Sequence, residues 1–295
     1  MIHYDNKDWL KLLFTLRGSV LSSILPRIVI FAAVSALITL VHFYVIKINT
    51  PPTPWSIVGV ALGLMLVFRT NTAYERYWEG RRMWGSIINS TQNLAVDSIA
   101  YISSDHTESL KLRQRLFKLL TAFPILVKQR LRDQNDPDEL RSFLTNTEIS
   151  VLEKSFNMPV SLIAMIKKTL YMCLKLGILN QSHLTILNAN LSELMNSLAN
   201  CERIKSTPIP LAYALHLKRF MYLFCMTIPI SLVNTFGWWT ILLGALVAYA
   251  FVGIEEIGIE VEDPFGEDPN DLPLDDFCEN IKNTLQDIFA KQNSL

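Results

Sequence analysis

The amino-acid sequence predicts an all-α integral membrane protein with four transmembrane helices per subunit and a large helical cytosolic region. Of its 295 residues, 50% are hydrophobic and 18% are charged, whereas soluble domains usually contain about 25% charged residues. Three long windows contain no Asp, Glu, Lys or Arg, and the remainder shows apolar residues at helical spacing without strand alternation. Composition therefore predicts the membrane class, and periodicity predicts the helical class.

The first two charge-free windows are each predicted to form one membrane span. Residues 28 to 46 lie between Arg27 and Lys47, and residues 49 to 68 begin with the helix-breaking stretch NTPPTP. The hydrocarbon core of a bilayer accommodates about 20 helical residues, so each window fits one crossing.

The third window, residues 220 to 254, is too long for one helix. We predict a hairpin of two spans that turns near Asn234 to Gly237. Trp238 and Trp239 then lie at the membrane interface, where aromatic side chains are enriched. Both spans are expected to extend beyond the charge-free limits.

Basic residues in the short flanks predict the orientation of these spans. The loop at residues 47 to 54 contains a single basic residue, Lys47. The flanks before span 1 and after span 2 contain Lys7, Lys11, Arg17 and Arg27, and Arg69, Arg76, Arg81 and Arg82, respectively. Because basic residues accumulate on the cytoplasmic side, both termini and the middle region are expected there.

The chain divides into five predicted segments. They are an amphipathic N-terminal segment at 1–27, spans 1 and 2 at 28–68, a helical cytosolic region at 69–207, spans 3 and 4 at 208–262, and an acidic cytosolic segment at 263–295. The first segment is expected to lie on the membrane surface, although an ordinary surface helix fits the same pattern. In the cytosolic region, the acidic cluster of DPDELRSFL, residues 136 to 144, predicts the start of a helix.

The stretch GVALGLMLVFRTNTAYERYWEGRR, residues 59 to 82, passes from apolar to charged without a proline or a turn cluster. Val60, Leu64 and Phe68 recur every four residues and form one stripe on a helix. A ring of such stripes around an axis would form a narrow hydrophobic constriction that gates ions by dewetting. The same spacing fits a helix that faces lipid or core.

Gly59 and Gly63 lie four residues apart on a neighbouring face of the same helix. Small residues at this spacing let membrane helices approach closely. We therefore expect the helix to pack tightly through its glycines, against copies of itself or against other helices.

Two motifs carry a family resemblance. LGLMLVFRTNTAYERYWEGRR, residues 62 to 82, together with EDPFGEDPNDLPLD, residues 262 to 275, resembles the bestrophin family in its bacterial branch. Arg76, Tyr77 and Trp78 match the family's Arg-aromatic-Trp step after the second membrane helix, and residues 263 to 268 match its Asn/Asp-Pro-Phe-Gly-Glu-Asp core. The motifs stand in the family's order, so the resemblance covers nearly the whole chain.

The resemblance implies a homopentameric ion channel with one central pore in the lipid of a bacterial inner membrane. Val60, Leu64 and Phe68 match the three neck positions of that pore. Ile178 is the best match for a second constriction in the cytosolic part, although an isoleucine in the core at a helix end fits equally well.

The resemblance also raises calcium binding as a possibility, because eukaryotic members carry a calcium clasp after the last span. Asp268 and Asp271 match the family's side-chain ligands, and calcium prefers oxygen ligands. Pro269 and Asn270 interrupt the acidic run, so we favour an acidic stretch that packs against the basic middle region. No cofactor is expected to be required.

The identity of the conducted ion is open at this stage, because the neck stripe carries no charge. Resemblance to the bacterial branch favours small monovalent cations, and an anion channel selective for chloride is the alternative. Fixed rings of charge elsewhere would decide between them.

Two other classes of function compete with a channel. An enzyme is not expected, because the five histidines form no HxxxH or HExxH pair and no nucleophile motif is present. A membrane scaffold that docks a soluble partner through its acidic tail remains an alternative. The net charge of zero gives no reason to expect nucleic acid as a partner.

Overall fold

The computed structural model describes residue 15, residues 18 to 102 and residues 107 to 290, and all regular elements in these ranges are helical. The α-helices are α1 (Leu21–Tyr44), α2 (Thr53–Tyr101), α3 (Thr107–Leu131), α4 (Asn146–Glu153), α5 (Met158–Lys175), α6 (Gln181–Ser206), α7 (Leu211–Phe236), α8 (Trp239–Glu262) and α9 (Leu274–Ala290). Most of the amphipathic segment predicted at 1–27 lies outside the described residues, and its last seven residues, from Leu21 to Arg27, belong to α1.

Four of these helices, α1, α2, α7 and α8, are long and apolar enough to cross a membrane. The hairpin predicted for residues 220 to 254 is present, because α7 ends at Phe236 and α8 begins at Trp239. Gly237 makes the turn with φ at 53°, a left-handed conformation that costs glycine little.

Helix α2 contains 49 residues and continues without interruption from the apolar start at Thr53, through Arg69, to Tyr101. At 1.5 Å per residue it is about 70 Å long, which is more than twice the thickness of a bilayer core. The apolar-to-charged transition at Arg69 therefore takes place within one helix, as the uninterrupted sequence indicates.

The chain forms two compact units, and α2 contributes to both. The first unit contains the chain up to Tyr77, Pro208–Pro264 and Asp268–Asp271. Its core is formed by α1, α2, α7 and α8, with the buried residues Ile24, Phe31, Leu62, Leu66, Leu217, Met221, Phe224, Cys225, Ala248 and Val252. Leu62 and Leu66 come from one face of α2, so this face is directed into its own unit.

The second unit contains Trp78–Thr207, Phe265–Glu267 and the chain from Leu272 onward. Helix α3 lies at its centre and contacts α5, α6 and α9. Its buried residues include Leu116, Leu119, Leu120, Phe123 and Leu126. Ile281 and Leu285 of α9 are fully buried, so the C-terminal helix covers the core of its own unit.

The helix start predicted for DPDELRSFL is wrong. Asp138–Leu140 forms only one turn of 3-10 helix, where the Asp136 carboxylate accepts the amide of Asp138 at 3.0 Å. The α-helix begins later, at Asn146, because Thr145 and Glu148 cap each other's backbone amides in a complete capping box.

Candidate ion pathway

The predicted neck residues lie on the face of α2 that their own chain leaves uncovered. Val60, Leu64 and Phe68 are 67%, 56% and 66% exposed, whereas Leu62 and Leu66 are 0% and 2% exposed. One face of α2 therefore packs into the subunit and the other presents an apolar stripe. That stripe is available to lipid, to another subunit or to a pore, and its assignment to a neck stays a prediction.

The two glycines beside the stripe differ in their surroundings. A Cβ atom on Gly59 would lie 3.2 Å from the Phe224 ring of α7, whereas a Cβ on Gly63 would meet no atom within 4 Å. Gly59 thus allows α2 to pack closely against α7 of the same chain. Gly63 leaves open space beside α2.

A buried ion pair fixes α2 immediately after the stripe. Arg69 Nη1 lies 2.9 Å from Glu255 Oε1 of α8, and the two side chains are 5% and 1% exposed. Glu262 and Lys218 lie at longer range, with Arg69 Nη2 3.6 Å from Glu262 and Lys218 Nζ 3.7 Å from Glu255. The charge next to Phe68 is consequently neutralised and withdrawn from the exposed face of the helix.

The end of α8 is held to α2 by a second contact. Arg76 Nε donates a hydrogen bond to the backbone oxygen of Glu262 at 3.1 Å. The carboxylate of Glu262 accepts the amide of Ile209 at 2.9 Å, just before α7 begins. Glu262 thus joins three helices of the first unit at the point where the acidic loop starts.

Glu256, the acid next to Glu255 on α8, makes an ion pair of its own. Glu256 pairs with Arg27 of α1 at 2.6 Å. Arg27 was not foreseen as a partner, although it is the basic residue that borders the first charge-free window. Its position at the edge of an apolar window is the signal in the sequence that points to it.

Ile178, the candidate for the second constriction, lies in the turn between α5 and α6 of the second unit. Its side chain is half-buried, and its amide donates to the Cys173 oxygen at 3.0 Å. Gly177 has φ at 71°, which explains a glycine at this turn. The neighbouring Leu176 is 59% exposed, so the turn carries apolar side chains at its tip. The role of Ile178 stays a prediction.

Asp268 and Asp271, the candidate calcium ligands, form part of one tight turn. Asp271 is buried, and its Oδ2 atom accepts the amide of Asp268 at 2.7 Å. Burial raises the pKa of the Asp271 carboxyl to about 6, and the nearby charges of Asp268, Asp263 and Glu260 also favour the protonated form. The carboxyl of Asp271 is therefore bound to its own backbone turn.

Asp268 and Asp271 do not belong to a preformed cluster of metal ligands in the described part of the chain. Among the residues that the structure describes, no group of three or more His, Cys, Asp or Glu side chains is placed to hold a metal ion. Calcium takes 6 to 8 oxygen ligands. One carboxylate oxygen of the nearby Glu260 accepts a hydrogen bond from the Asn270 side-chain amide at 2.8 Å. Calcium binding at Asp268 and Asp271 stays a prediction.

Comparison with known proteins decides the family. Residues 1–287 match the family model described as Bacterial/Fungal Bestrophin protein. The chain belongs to the bestrophin family. Its structure is similar to that of a bacterial bestrophin homologue from Klebsiella pneumoniae, with a TM-score of 0.85 and 27% sequence identity over 90% of this chain and 98% of that one.

Curated relatives of this bestrophin are named for anion channels. A voltage-dependent anion channel-forming protein of Nostoc sp. is 39% identical over 282 residues, which are 96% of this chain and 92% of the relative. One from Escherichia coli K12 is 34% identical over 285 residues, with the same coverage.

These findings confirm the predicted family and the all-α membrane fold. The prediction of a bestrophin-like ion channel is supported, and the prediction that the protein is not an enzyme is confirmed, because the family and its curated relatives are channels. Cation selectivity is unsupported: the names of the relatives fit the anion alternative better.

Proposed function

We propose that this bestrophin is one subunit of a homopentameric anion channel, with chloride as the ion to test. The observation that carries the proposal is the similarity, over more than nine-tenths of the chain, to proteins named as voltage-dependent anion channel-forming. We also propose that its four apolar helices each cross a bacterial inner membrane, with both termini in the cytoplasm.

The exposed stripe of α2 supports a neck that does not select by charge. Val60, Leu64 and Phe68 are apolar and uncovered, and five such stripes around an axis would form a hydrophobic constriction. Arg69, the nearest charge on α2, is buried against Glu255. The sign of the conducted ion must then be set by charges outside the neck.

The hairpin of α5 and α6 supports anions as the conducted species. From Lys154 to Ser192 the sequence contains no Asp or Glu, but it contains Lys154, Lys167, Lys168 and Lys175. Lys175 is exposed and lies three residues before Ile178. If Ile178 borders the pathway, the repeated Lys175 side chains would place positive charge beside it, which favours anions.

The experiment that tests the proposal is the reversal potential of the purified protein in a planar bilayer under a chloride-salt gradient. Reversal near the chloride equilibrium potential is expected. Reversal near the cation potential would overturn the anion proposal and restore the prediction of cation selectivity. A scaffold would give no current, and one acid of its proposed docking tail, Asp275, pairs with Lys128 and Arg132 of its own unit.

Shortening the neck side chains tests the pathway itself. Leu64→Ala and Phe68→Ala are each expected to increase single-channel current severalfold, because a wider hydrophobic constriction is easier to hydrate. Leu37→Ala is the matched control, since Leu37 of α1 is equally apolar and 61% exposed. Unchanged current in both neck variants would remove these residues from the pathway.

A further inference from the structure

An open groove of about 600 Å³ lies in the second unit, and no candidate residue of the ion pathway lines it. It is bounded by α3, by the segment after the 3-10 helix and by the first turn of α4. Its lining includes four basic side chains, Lys111, Arg115, Lys118 and Arg141, and one acidic side chain, Glu148.

The basic side chains of the groove are only weakly neutralised. Lys111 pairs with Glu108, and Arg141 pairs with Asp138, but the side chains of both pairs are more than 60% exposed. Exposed pairs of this kind contribute little and exchange readily with other anions. Lys118 makes no ion pair within the part of the chain that the structure describes. The groove therefore holds a positive charge that a bound anion would offset.

The single carboxylate of the groove is fixed in place. Glu148 accepts hydrogen bonds from the backbone amide and hydroxyl of Thr145, and it pairs with Arg115. Burial disfavours its charge, but these hydrogen bonds and the charge of Arg115 outweigh burial and lower the pKa of Glu148. Glu148 consequently stays ionised at neutral pH and orients the Arg115 guanidinium at the edge of the groove.

The remaining lining combines polar and apolar groups. Gln114, Ser142 and Asn146 supply amide and hydroxyl groups, and the apolar Phe143 and Leu144 are only 9% and 5% exposed. The hydroxyl of Thr145 and the backbone amide of Glu148 are already used in the capping box. The groove thus offers hydrogen-bonding side chains beside its basic ones, at the start of α4, where the helix dipole favours negative charge.

We propose that this groove binds the phosphate group of a small, hydroxyl-rich molecule. Arginine recognises phosphate through paired hydrogen bonds, and lysine adds a mobile point charge. The neutral side chains would contact the hydroxylated body of the ligand. The same chemistry occurs in a soluble sugar phosphate and in the headgroup of a phospholipid, so the test must separate these sources.

The test uses the full-length protein in detergent and isothermal titration with inorganic pyrophosphate. Binding that weakens with added salt is expected. The variant Lys118→Ala/Arg141→Ala removes two exposed side chains, and each loss is expected to weaken binding by about tenfold. Lys47→Ala/Arg203→Ala is the matched control, since this lysine and this arginine are also exposed but lie outside the groove.

Native mass spectrometry of the same samples identifies the source of the phosphate. A retained anionic phospholipid that disappears in Lys118→Ala/Arg141→Ala would assign the groove to a lipid headgroup. Pyrophosphate binding without such a lipid would assign it to a soluble ligand. No binding of either kind, or an equal Kd in the groove variant and in the wild type, would overturn the proposal.

Discussion

The two compact units bury charge in different ways. In the first unit Arg69 and Glu255 face each other with side chains only 5% and 1% exposed, and within the described part of the chain Glu255 Oε2 and Arg69 Nε make no hydrogen bond. In the second unit Lys128 is 6% exposed, but its partners Glu139 and Asp275 are 37% and 62% exposed. The charge of Lys128 is therefore balanced by carboxylates that water reaches, whereas the nearest carboxylate to Arg69 is one that water does not reach.

The units also differ in how their helices approach each other. In the first unit a Cβ on Gly244 of α8 would lie 2.2 Å from the Ser35 hydroxyl oxygen of α1, so the backbones meet with almost no intervening side chain. In the second unit the central helix α3 buries large side chains such as Leu119 and Phe123. Lipid is as apolar as leucine, so membrane helices associate through close contact, whereas burial from water drives the packing of large apolar side chains such as those of α3.

Breaking the buried pair is expected to have the largest effect. Glu255→Gln leaves the Arg69 charge with a weaker partner in a site that water does not reach, and loss of one member of a buried pair costs about 3–5 kcal/mol. The apparent melting temperature in detergent should therefore fall by several degrees. Glu256→Gln is the control, because Arg27 is 32% exposed and can be solvated. Equal melting temperatures for the two variants would contradict the comparison.

The double variant Arg69→Met/Glu255→Met sharpens the same test. It removes both buried charges together and is expected to recover most of the lost stability, because well-packed apolar residues can replace a buried pair. A double variant no more stable than Glu255→Gln would show that the two residues act through other contacts.

Filling the close contact between α1 and α8 is expected to have the next largest effect. Gly244→Ala forces Ser35 or the helix backbones apart, and such overpacking typically costs about 1–3 kcal/mol. The melting temperature should fall, as measured by fluorescence-detected size exclusion after heating. Gly63→Ala is the matched control, because its Cβ would meet no atom within 4 Å. An equal fall in melting temperature in both variants would contradict a specific role for the contact between Gly244 and Ser35.

Removing Lys128 from the second unit is expected to have a smaller effect. Lys128→Met should cost about 1–2 kcal/mol, because the carboxylates of Glu139 and Asp275 are left partly hydrated. Urea denaturation of the purified protein measures the change, and Lys154→Met serves as the control for a surface lysine. If Lys128→Met lowers the free energy of unfolding as much as Glu255→Gln does, the two units do not differ in how they stabilise buried charge.

The stability lost in Lys128→Met is expected to depend on pH through the ionisation of Lys128 and Asp275. Burial lowers the pKa of Lys128, but its hydrogen bonds to Glu139 and Asp275 outweigh burial and raise it. Burial raises the pKa of Asp275, but the same contacts with Lys128 and Arg132 lower it. The raised pKa of Lys128 contributes stability that is fully present below its unfolded pKa of about 10. The lowered pKa of Asp275 contributes stability that is present above its unfolded pKa of about 4. The difference between wild type and Lys128→Met should persist at neutral pH and shrink below about pH 4.

The sequence predicted the helices better than their partners. Charge-free windows and helical spacing located the four apolar helices and the continuous helix through Arg69, because these patterns are local. The contact between Gly244 and Ser35 and the pair of Arg27 with Glu256 join residues more than 200 positions apart. Nothing in a one-dimensional pattern specifies which distant small residue or charge will be the neighbour.

The candidate site shows the same limit. Spacing predicted a stripe through Val60, Leu64 and Phe68, but it did not distinguish this face of α2 from the face with Leu62 and Leu66. The buried positions became evident only with the contacts to α7 and α8. The start predicted at residues 136 to 144 failed because an acidic cluster suits a short turn as well as a helix, and the capping box at Thr145 is the more specific signal.

Calcium is expected to have the smallest effect of all. A ligand present at 1,000 times its Kd stabilises a protein by about 4 kcal/mol, which would raise the melting temperature clearly. Because the Asp271 carboxyl is bound to the amide of Asp268, we expect no difference in melting temperature or current between millimolar calcium and a chelator. Asp268→Ala should be equally insensitive. A calcium-dependent rise in melting temperature that Asp268→Ala abolishes would show that the turn reorganises into the clasp implied by the eukaryotic members, and the acidic loop would then be a site instead of a structural turn.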